Sequence, residues 1–229
     1  NKFGINLENL DEFVETALSL DNIDLCGVHF HIGSQITETG PFVLLCRKVG
    51  EILDRMKALG AEITIVDMGG GFGIDYDDPD GNPIPDFEHY FAVFRDNLQL
   101  SPDQELHFEP GRSIVGQCGS LITRVLYVKE GTAKKFAIVD AGMTDLIRPA
   151  LYQAHHKIEN ISSSSAVDDV YDVVGPICES SDSFGTDERL PLVQRGDFLA
   201  LRSAGAYGEI MASTYNCRRL PGSVFSTDL

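Results

Sequence analysis

Residues 105–112 (ELHFEPGR) decide the fold, because they alternate apolar and polar side chains and then end abruptly in Pro-Gly. Two earlier stretches have the same form: GVHFHIGSQ at 27–35 and VDMGGGFGID at 66–75. Each is a short run of strand-forming residues that ends in a glycine-containing loop with polar side chains. Three successive strands with polar groups at their carboxyl ends are typical of a (β/α) barrel, whose ligand-binding face is built from such loops.

Helical patterns separate these strands. Residues 7–20, 41–60 and 87–98 carry apolar residues at helical spacing. Asn6 is a possible N-cap of the first helix, while Pro41 would begin the second and Gly60 would end it. Because strands and helices alternate, we expect the strands to pair in parallel. After Arg112 the pattern changes to β-rich segments at 113–131, 134–142, 170–180 and 196–208, with a polar loop at 159–169.

These patterns predict an α/β plus β architecture. Residues 1–112 would form the last βα units of a (β/α)8, TIM-type barrel, and residues 113–229 a β-rich C-terminal domain. Three βα units are too few to close a barrel, which averages about 250 residues. We therefore expect the first units to lie upstream of Asn1 and the C-terminal end to be clipped.

The composition excludes several classes of protein. The formal net charge is −17, with 35 acidic against 18 basic residues, which disfavours nucleic-acid binding. No apolar run approaches the roughly 20 residues that span a bilayer, so we expect no membrane association. The five cysteines are odd in number and include no CxxC pair, which favours a reducing, cytoplasmic compartment over a disulfide scaffold.

The histidines of the first strand could serve two chemistries. His29 and His31 are two residues apart, so on a strand both side chains would face the same side. Such a pair could bind zinc, or an imidazole ring could stack on a planar cofactor ring. Ser34 follows directly after Gly33, which favours contact with a phosphate or cofactor. With His107 and a carboxylate, the alternative is a zinc-dependent barrel hydrolase.

The glycine run at 69–71 (Gly69, Gly70, Gly71) could let backbone N–H groups approach a phosphate. It lacks the third glycine of a dinucleotide fingerprint and the Gly-Lys-Ser/Thr of a Walker loop. Glu109 is held extended by Pro110 at a strand end. Its carboxylate could be a metal ligand, a general base or the partner of a heteroaromatic N–H, or Arg112 could simply neutralise it.

Polar residues of the C-terminal half complete the candidate set. Cys178 stands beside Glu179 in a turn, where a thiol could donate a proton instead of packing as a small apolar residue. Arg148 and Tyr152 are four residues apart, so they would share one helical face. Tyr207 is flanked by small residues that would expose its hydroxyl group.

Seven segments together resemble the fold-type III, pyridoxal-phosphate-dependent amino-acid decarboxylases, in that family's order and over nearly the whole chain. They are KFGI, HFHIGSQ, DMGGGFGIDY, FEPGRSIV, DAGMTDLIRPALY, GPICESSD and AGAYG. The resemblance is greatest to the branch that acts on diaminopimelate. It implies an alanine-racemase-like barrel, the cofactor pyridoxal 5′-phosphate, no metal, and a homodimer with composite active sites. The implied reaction converts meso-2,6-diaminopimelate to L-lysine and CO2.

The resemblance also implies residue roles. His31 would stack on the pyridine ring, and Glu109 would keep the ring nitrogen protonated so that the ring accepts electrons as CO2 leaves. Cys178 would act across the subunit interface as the proton donor. The cofactor phosphate would be held by Ser34, Gly69, Gly70, Gly71, Gly111, Arg112 and Tyr207. The distal end of the substrate would be bound by Arg112, Arg148, Tyr152, Glu179 and Tyr207.

A physical argument supports this substrate. Diaminopimelate carries a distal carboxylate that ornithine lacks, and a buried carboxylate is best satisfied by a guanidinium group. Arg148, Tyr152 and the glutamate after Cys178 suit a zwitterionic distal end better than a bare amine.

The sequence departs from the family in one respect. The family's Schiff-base lysine lies on an early barrel strand, and none of the seven lysines here stands in such a motif. We therefore expect the chain alone to be inactive. The alternatives are a fold-type III decarboxylase acting on carboxynorspermidine, ornithine or arginine, the zinc hydrolase, and a non-catalytic homologue that binds a partner. The sequence upstream of Asn1 would distinguish an enzyme from such a homologue.

Overall fold

The computed structural model describes residues 2–228, so the two terminal residues of the expected domains lie outside it. The described chain divides into two compact units. The first contains the residues up to Gly73 together with Asp86–Pro110. The second contains Ile74–Pro85 and the residues from Gly111 onward. A short segment between the second strand and the third helix thus belongs to the C-terminal unit.

The first unit alternates helices and strands as expected. Its three strands form a parallel sheet in the order β1-β2-β3, with His29 opposite Asp67 and Asp67 opposite His107. Parallel pairing is therefore confirmed. A 3₁₀ turn at Leu7–Asn9 precedes the first helix. The elements are α1 (Leu10–Leu18), β1 (Gly27–His29), α2 (Gly40–Ala58), β2 (Ile65–Asp67), α3 (Phe87–Asn97) and β3 (Glu105–His107).

Local signals define the helix ends. Pro41 lies in the first turn of α2, and Gly60 follows its end with φ +91°, a conformation that glycine adopts without strain. Both expectations are confirmed. The Asp86 carboxylate caps α3 by accepting a hydrogen bond from the backbone N–H of His89 at 2.9 Å. Asn6 makes no side-chain capping bond, so its expected role as a helix cap is wrong.

An aromatic cluster packs α2 and α3 together. Phe42 meets Tyr90 edge-on with ring centroids 5.0 Å apart, and Phe72 stacks on Tyr90 at 4.4 Å. Phe94 and Phe108 add edge contacts at 4.9 Å. Burial raises the pKa of Tyr90 to about 12, so its hydroxyl group stays protonated in this core. The cluster includes Phe72 and Phe108 from the loops after β2 and β3, and so fixes the loops that carry the candidate site.

The second unit is built on a six-stranded sheet. The strand order is β6-β9-β4-β5-β7-β8, and among the described strands of this sheet only β5 and β7 pair in parallel. Two short helices, α4 (Arg112–Val115) and α5 (Arg148–Tyr152), accompany it. The β-rich texture predicted after residue 112 is confirmed. The strands are β4 (Leu121–Glu130), β5 (Lys135–Val139), β6 (Ile158–Asn160), β7 (Asp168–Val174), β8 (Ser183–Pro191) and β9 (Phe198–Leu201).

Three details differ from the sequence expectation. Residues 112–118 form α4 and a 3₁₀ turn instead of the start of a β segment. They are followed by Gly119, which packs against the backbone of Gly205, where an added Cβ would lie 2.9 Å from the Gly205 Cα atom. The loop expected from residue 159 begins only after β6, and β8 was not expected at all. None of the helices within residues 2–228 combines the length and apolar character needed to cross a lipid bilayer.

Candidate active site

The loops that follow the three parallel strands are joined by backbone hydrogen bonds. Glu109 donates from its N–H to the carbonyl of Gly69 at 2.8 Å, and Ile36 donates to the carbonyl of Gly71 at 2.9 Å. The middle loop is therefore bonded to both of its neighbours. The side chains at the strand ends sit on one connected backbone framework.

The glycine run is required by this packing. An added Cβ at Gly69 or Gly70 would overlap the carbonyl oxygens of Phe30 and Glu109, respectively, and one at Gly71 would lie 2.6 Å from the carbonyl oxygen of Gly33. Gly69 and Gly71 also have φ values of +68° and +103°. Close backbone contact alone thus explains the glycines, and their contact with a phosphate stays a prediction.

Three ionisable side chains gather where the strands end. His29 Nε2 lies 3.0 Å from Glu109 Oε2, and both side chains are about half exposed. Asp67, opposite His29 in the sheet, accepts a hydrogen bond from the Gly69 N–H at 2.8 Å. One ligand atom from each of His29, Asp67 and Glu109 can be chosen so that all three lie within 4.8 Å of one another.

The two histidines do not share a strand face, so that expectation is wrong. Strand β1 ends at His29, and His31 lies on the loop beyond it, exposed together with Ser34. His107, the third histidine of the zinc alternative, pairs instead with Glu105 on its own strand at 3.2 Å. His29 was considered only with His31 and as a zinc ligand, and it was not among the cofactor-binding residues that the resemblance implied.

Three residues expected at the phosphate lie together in the second unit. An added Cβ at Gly111 would lie 3.4 Å from the Tyr207 hydroxyl oxygen. The Gly111 backbone, which carries no side chain of its own, therefore lies next to the Tyr207 phenol group. The Arg112 guanidinium lies over the Tyr207 ring at 5.1 Å. Tyr207 has φ +59° and is half exposed, as expected from its small neighbours.

Tyr76 contacts two arginines, and sequence reasoning did not identify it. Arg112 Nη1 donates a hydrogen bond to the Tyr76 hydroxyl oxygen at 2.5 Å. The Arg148 guanidinium lies 5.1 Å from the centroid of the same ring, within the range of a cation–π contact. The signal for Tyr76 was its place in the segment directly after the glycine run.

Arg148 is a buried cation. It is 5% exposed, and burial, followed by smaller effects that include repulsion from the Arg112 charge, lowers its pKa. It forms no ion pair with a carboxylate in the part of the chain that the structure describes. Because an uncompensated buried charge is costly, this guanidinium is suited to an anionic ligand.

Arg148 and Tyr152 both lie in α5, the helix on which they were predicted to share one face. Their surroundings differ, since Tyr152 is 62% exposed. The structure thus separates a buried charge from an exposed phenol.

Cys178 and Glu179 lie exposed in the turn between β7 and β8, as the sequence predicted. The Glu179 carboxylate accepts a hydrogen bond from the Tyr215 hydroxyl group at 2.5 Å, which raises the pKa of Tyr215. Buried Asp182 holds the turn by accepting the backbone N–H groups of Ile177 at 2.7 Å and Met143 at 2.6 Å. Tyr215 was not expected, and no local pattern pointed to it.

Several lysines are committed to ion pairs. Hydrogen bonds to carboxylates raise the pKa values of Lys134, Lys135 and Lys157. A lysine whose ammonium form is stabilised in this way is a poor nucleophile at neutral pH. The partners are Asp172 and Asp187 for Lys134, Asp169 and Glu130 for Lys135, and Glu159 and Asp80 for Lys157.

Comparison with known proteins gives a consistent result. The chain is 58% identical over 229 residues to the diaminopimelate decarboxylase of Bacteroides thetaiotaomicron, covering 100% of this chain and 59% of the relative. It is 46% identical over 228 residues to that of Archaeoglobus fulgidus, covering 95% of this chain and 52% of the relative. The chain thus spans about half the length of the curated relatives it matches.

Solved structures and a family model agree. The diaminopimelate decarboxylase of Helicobacter pylori complexed with L-lysine matches with a TM-score of 0.84 at 42% identity, covering 94% of this chain and 53% of that chain. The family model for the pyridoxal-dependent decarboxylase C-terminal sheet domain matches residues 19–205. This match covers most of the chain and confirms the resemblance inferred from the seven motifs. The chain belongs to the pyridoxal-dependent decarboxylase family.

Proposed function

We propose that the complete polypeptide carrying this chain is a pyridoxal-phosphate-dependent decarboxylase that converts meso-2,6-diaminopimelate to L-lysine and CO2. The observation that carries the proposal is Arg148, a buried guanidinium without a carboxylate partner among the described residues. It occurs in a chain 58% identical to a diaminopimelate decarboxylase. A substrate with a distal carboxylate satisfies this charge, whereas the distal amine of ornithine does not.

The residues of the first unit fit the ring of pyridoxal phosphate. Glu109 presents a carboxylate, held by His29, at the end of β3, where it would pair with the ring nitrogen. His31 is exposed on the neighbouring loop and would stack on the ring. When bound, the cofactor supplies an electron-accepting ring for the electrons released as CO2 leaves.

The donors for the phosphate group are proposed from the family resemblance. In the second unit, Gly111, Arg112 and Tyr207 combine bare backbone, a guanidinium and a phenol hydroxyl, which is a donor set suited to an anion. In the first unit, Ser34 and the glycine run at 69–71 are the proposed contacts, as the family resemblance implies.

The distal end of the substrate would be recognised by opposite charges. Arg148 would donate to the distal carboxylate, with Arg112, Tyr152 and Tyr207 completing the contacts. Glu179 would accept from the distal ammonium group, and its hydrogen bond with Tyr215 would orient the carboxylate. The contact of Tyr76 with both arginines would hold the two cations near each other despite their repulsion.

Cys178 would donate the proton that replaces CO2, since an exposed thiol in a turn is accessible and more acidic than a hydroxyl group. We further propose a homodimer in which Cys178 acts at the partner subunit's site. Large exposed apolar side chains near the C-terminal end, including Ile210, Val224 and Phe225, support a subunit interface. The five free cysteines suit the cytoplasm. The first unit would be the last part of a (β/α)8 barrel.

Carbon dioxide release by the full-length protein tests the function. The purified protein with added pyridoxal phosphate would be assayed with meso-diaminopimelate, carboxynorspermidine, ornithine and arginine. We expect diaminopimelate to give the highest kcat/KM. A preference for any of the other three would overturn the substrate assignment but keep the reaction class. No CO2 from any of them would overturn both.

A further inference from the structure

His156 is a completely buried histidine that no candidate role included. It lies between α5 and β6 with none of its surface exposed. Its Nδ1 lies 2.8 Å from the carbonyl oxygen of Arg202, and its Nε2 lies 2.8 Å from Arg148 Nη1. Its ring packs edge-to-face with the ring of Tyr76, and the two ring centroids are 5.2 Å apart. The residue therefore contacts both Arg148 and the Tyr76 ring that lies against Arg148.

The two hydrogen bonds fix the tautomer. A carbonyl oxygen only accepts, so Nδ1 carries the proton, and a guanidinium only donates, so Nε2 presents its lone pair. Burial lowers the pKa of His156 to about 4, which keeps the ring neutral at physiological pH. A protonated ring would lose the acceptor for Arg148 and place two cations in contact.

The carbonyl group that fixes this tautomer is itself held in place. The Arg202 backbone N–H donates to the carbonyl of Lys157 at 2.8 Å. The Arg202 guanidinium donates to Glu159 at 2.6 Å and to Asp80 at 2.7 Å. His156 thus bonds to a rigid point at the end of β9, and it transmits that rigidity to Arg148.

A guanidinium has five N–H donors, and their direction matters for a bidentate contact. The His156 acceptor takes one Nη1 donor of Arg148, while the Tyr76 ring lies 5.1 Å from the guanidinium. These contacts limit rotation of the plane without neutralising its charge. The donors that neither His156 nor the Tyr76 hydroxyl group takes are left for an anion.

We propose that His156 is a positioning residue for substrate specificity, which aims the Arg148 guanidinium at the distal carboxylate through a neutral imidazole acceptor. The inference rests on the proposed function, because it assumes that Arg148 binds that carboxylate. It predicts that His156 contributes to the recognition of the carboxylate alone and not to the reacting end of the substrate.

Two inhibitors isolate this carboxylate. Decarboxylation leaves the distal carboxylate of diaminopimelate as the α-carboxylate of L-lysine, and cadaverine is lysine without that group. The ratio of the inhibition constants of cadaverine and L-lysine therefore measures carboxylate recognition. It is determined with the full-length holoenzyme for wild type, His156→Gln and His156→Asn.

The two amides separate the two hydrogen bonds. The Gln side chain can place its oxygen near the Nε2 position and restore the acceptor for Arg148, whereas Asn can only replace the Nδ1 donor to the Arg202 carbonyl. We expect His156→Asn to lower the ratio about tenfold and His156→Gln to lower it less than about threefold. Cadaverine inhibition itself should not change. In an Arg148→Ala background, neither substitution should alter the ratio further.

An unchanged ratio in His156→Asn would overturn the proposal. Equal weakening of cadaverine and lysine would also overturn it, because the role would then be structural. If His156→Asn does not fold, His156→Ser provides a second variant without the acceptor, with the same expected loss. Failure of the proposed function would give a different result from failure of the His156 proposal. The wild-type protein itself would then not release CO2 from diaminopimelate and would not prefer lysine to cadaverine.

Discussion

His29 Nε2 lies 3.0 Å from Glu109 Oε2, although the two residues are 80 positions apart in the chain. Strands β1 and β3 are not neighbours, because β2 lies between them. The pair forms because Glu109 lies two residues beyond the end of β3, where it approaches His29 and Asp67. The orientation of the Glu109 carboxylate thus depends on all three strands.

Replacing His29 should weaken cofactor binding. His29→Ala removes one hydrogen bond to Glu109, worth about 0.5–1.5 kcal/mol, so the Kd for pyridoxal phosphate should rise about 2- to 13-fold. The measurement is a fluorescence titration of the full-length protein. His107→Ala is the matched control, because it breaks the similar pair with Glu105 on the same sheet and should leave the Kd unchanged. Equal effects of the two variants would remove His29 from the cofactor site.

Adding a methyl group at Gly70 should destabilise the protein. Its Cβ would overlap the carbonyl oxygen of Glu109, and overpacking of this kind costs about 1–3 kcal/mol in the free energy of unfolding. Gly50→Ala, in open space within α2, should instead stabilise by about 0.5–1 kcal/mol. Urea denaturation of both variants checks the difference. A Gly70→Ala protein as stable as wild type would show that the loops separate easily.

Local sequence signals predicted the first unit because they act over a few residues. Pro41 and Gly60 mark the ends of α2 by their own backbone preferences. The glycine at 60 needs no tertiary contact to end a helix. The strand β8, in contrast, contains the polar run GTDE, which has low strand propensity. It forms because it pairs with β7, and a contact of that kind cannot be recognised from local sequence.

The candidate site was predicted only in part, because its contacts join distant residues. The motif residues Glu109 and Arg148 are visible in the sequence, but their partners are not. His156 meets Arg148 only because α5 turns back toward β6. Tyr76 reaches the same arginine because segment 74–85 belongs to the second unit, which no composition shift indicates.

Arg148→Ala should reduce specificity for the distal carboxylate. Leaving that carboxylate without its main donor should cost on the order of 2–4 kcal/mol in kcat/KM for diaminopimelate. Cofactor affinity should barely change. Arg195→Ala, which removes an exposed arginine between β8 and β9, is the control and should keep wild-type kinetics. Wild-type kinetics in Arg148→Ala as well would exclude Arg148 from substrate binding.

His156 should make stability depend on pH in the acidic range. Its pKa is about 4 in the folded protein against 6.5 for the ordinary side chain, so between these values the unfolded chain binds a proton that the folded one does not. The free energy of unfolding should therefore fall as pH falls through this window. Above pH 6.5 neither state binds the proton, so His156 causes no loss of stability there. His156→Gln should show a shallower fall between pH 7 and pH 4 in urea denaturation. Parallel curves for the two proteins would contradict the shift.

Mixed dimers should reveal whether Cys178 acts across the subunit interface. Cys178→Ala removes the proposed proton donor, and a second variant would lack the cofactor-linking lysine expected elsewhere in the full-length polypeptide. Each variant alone should be nearly inactive. In a mixed dimer of the composite kind, one of the two sites has both groups intact. With random exchange about half of the dimers are mixed, so activity should recover to about a quarter of wild type.

The mixed-dimer experiment needs a control that shows subunit exchange between the two variants. Differently tagged subunits that copurify would show that mixed dimers have formed, and Cys217→Ala, which replaces another exposed cysteine, should behave like wild type. Cys178 lies in the β7–β8 turn of the second unit. Demonstrated exchange without recovered activity would mean that Cys178 serves the cofactor of its own chain or has only a structural role. An active Cys178→Ala homodimer would exclude the thiol as the proton donor.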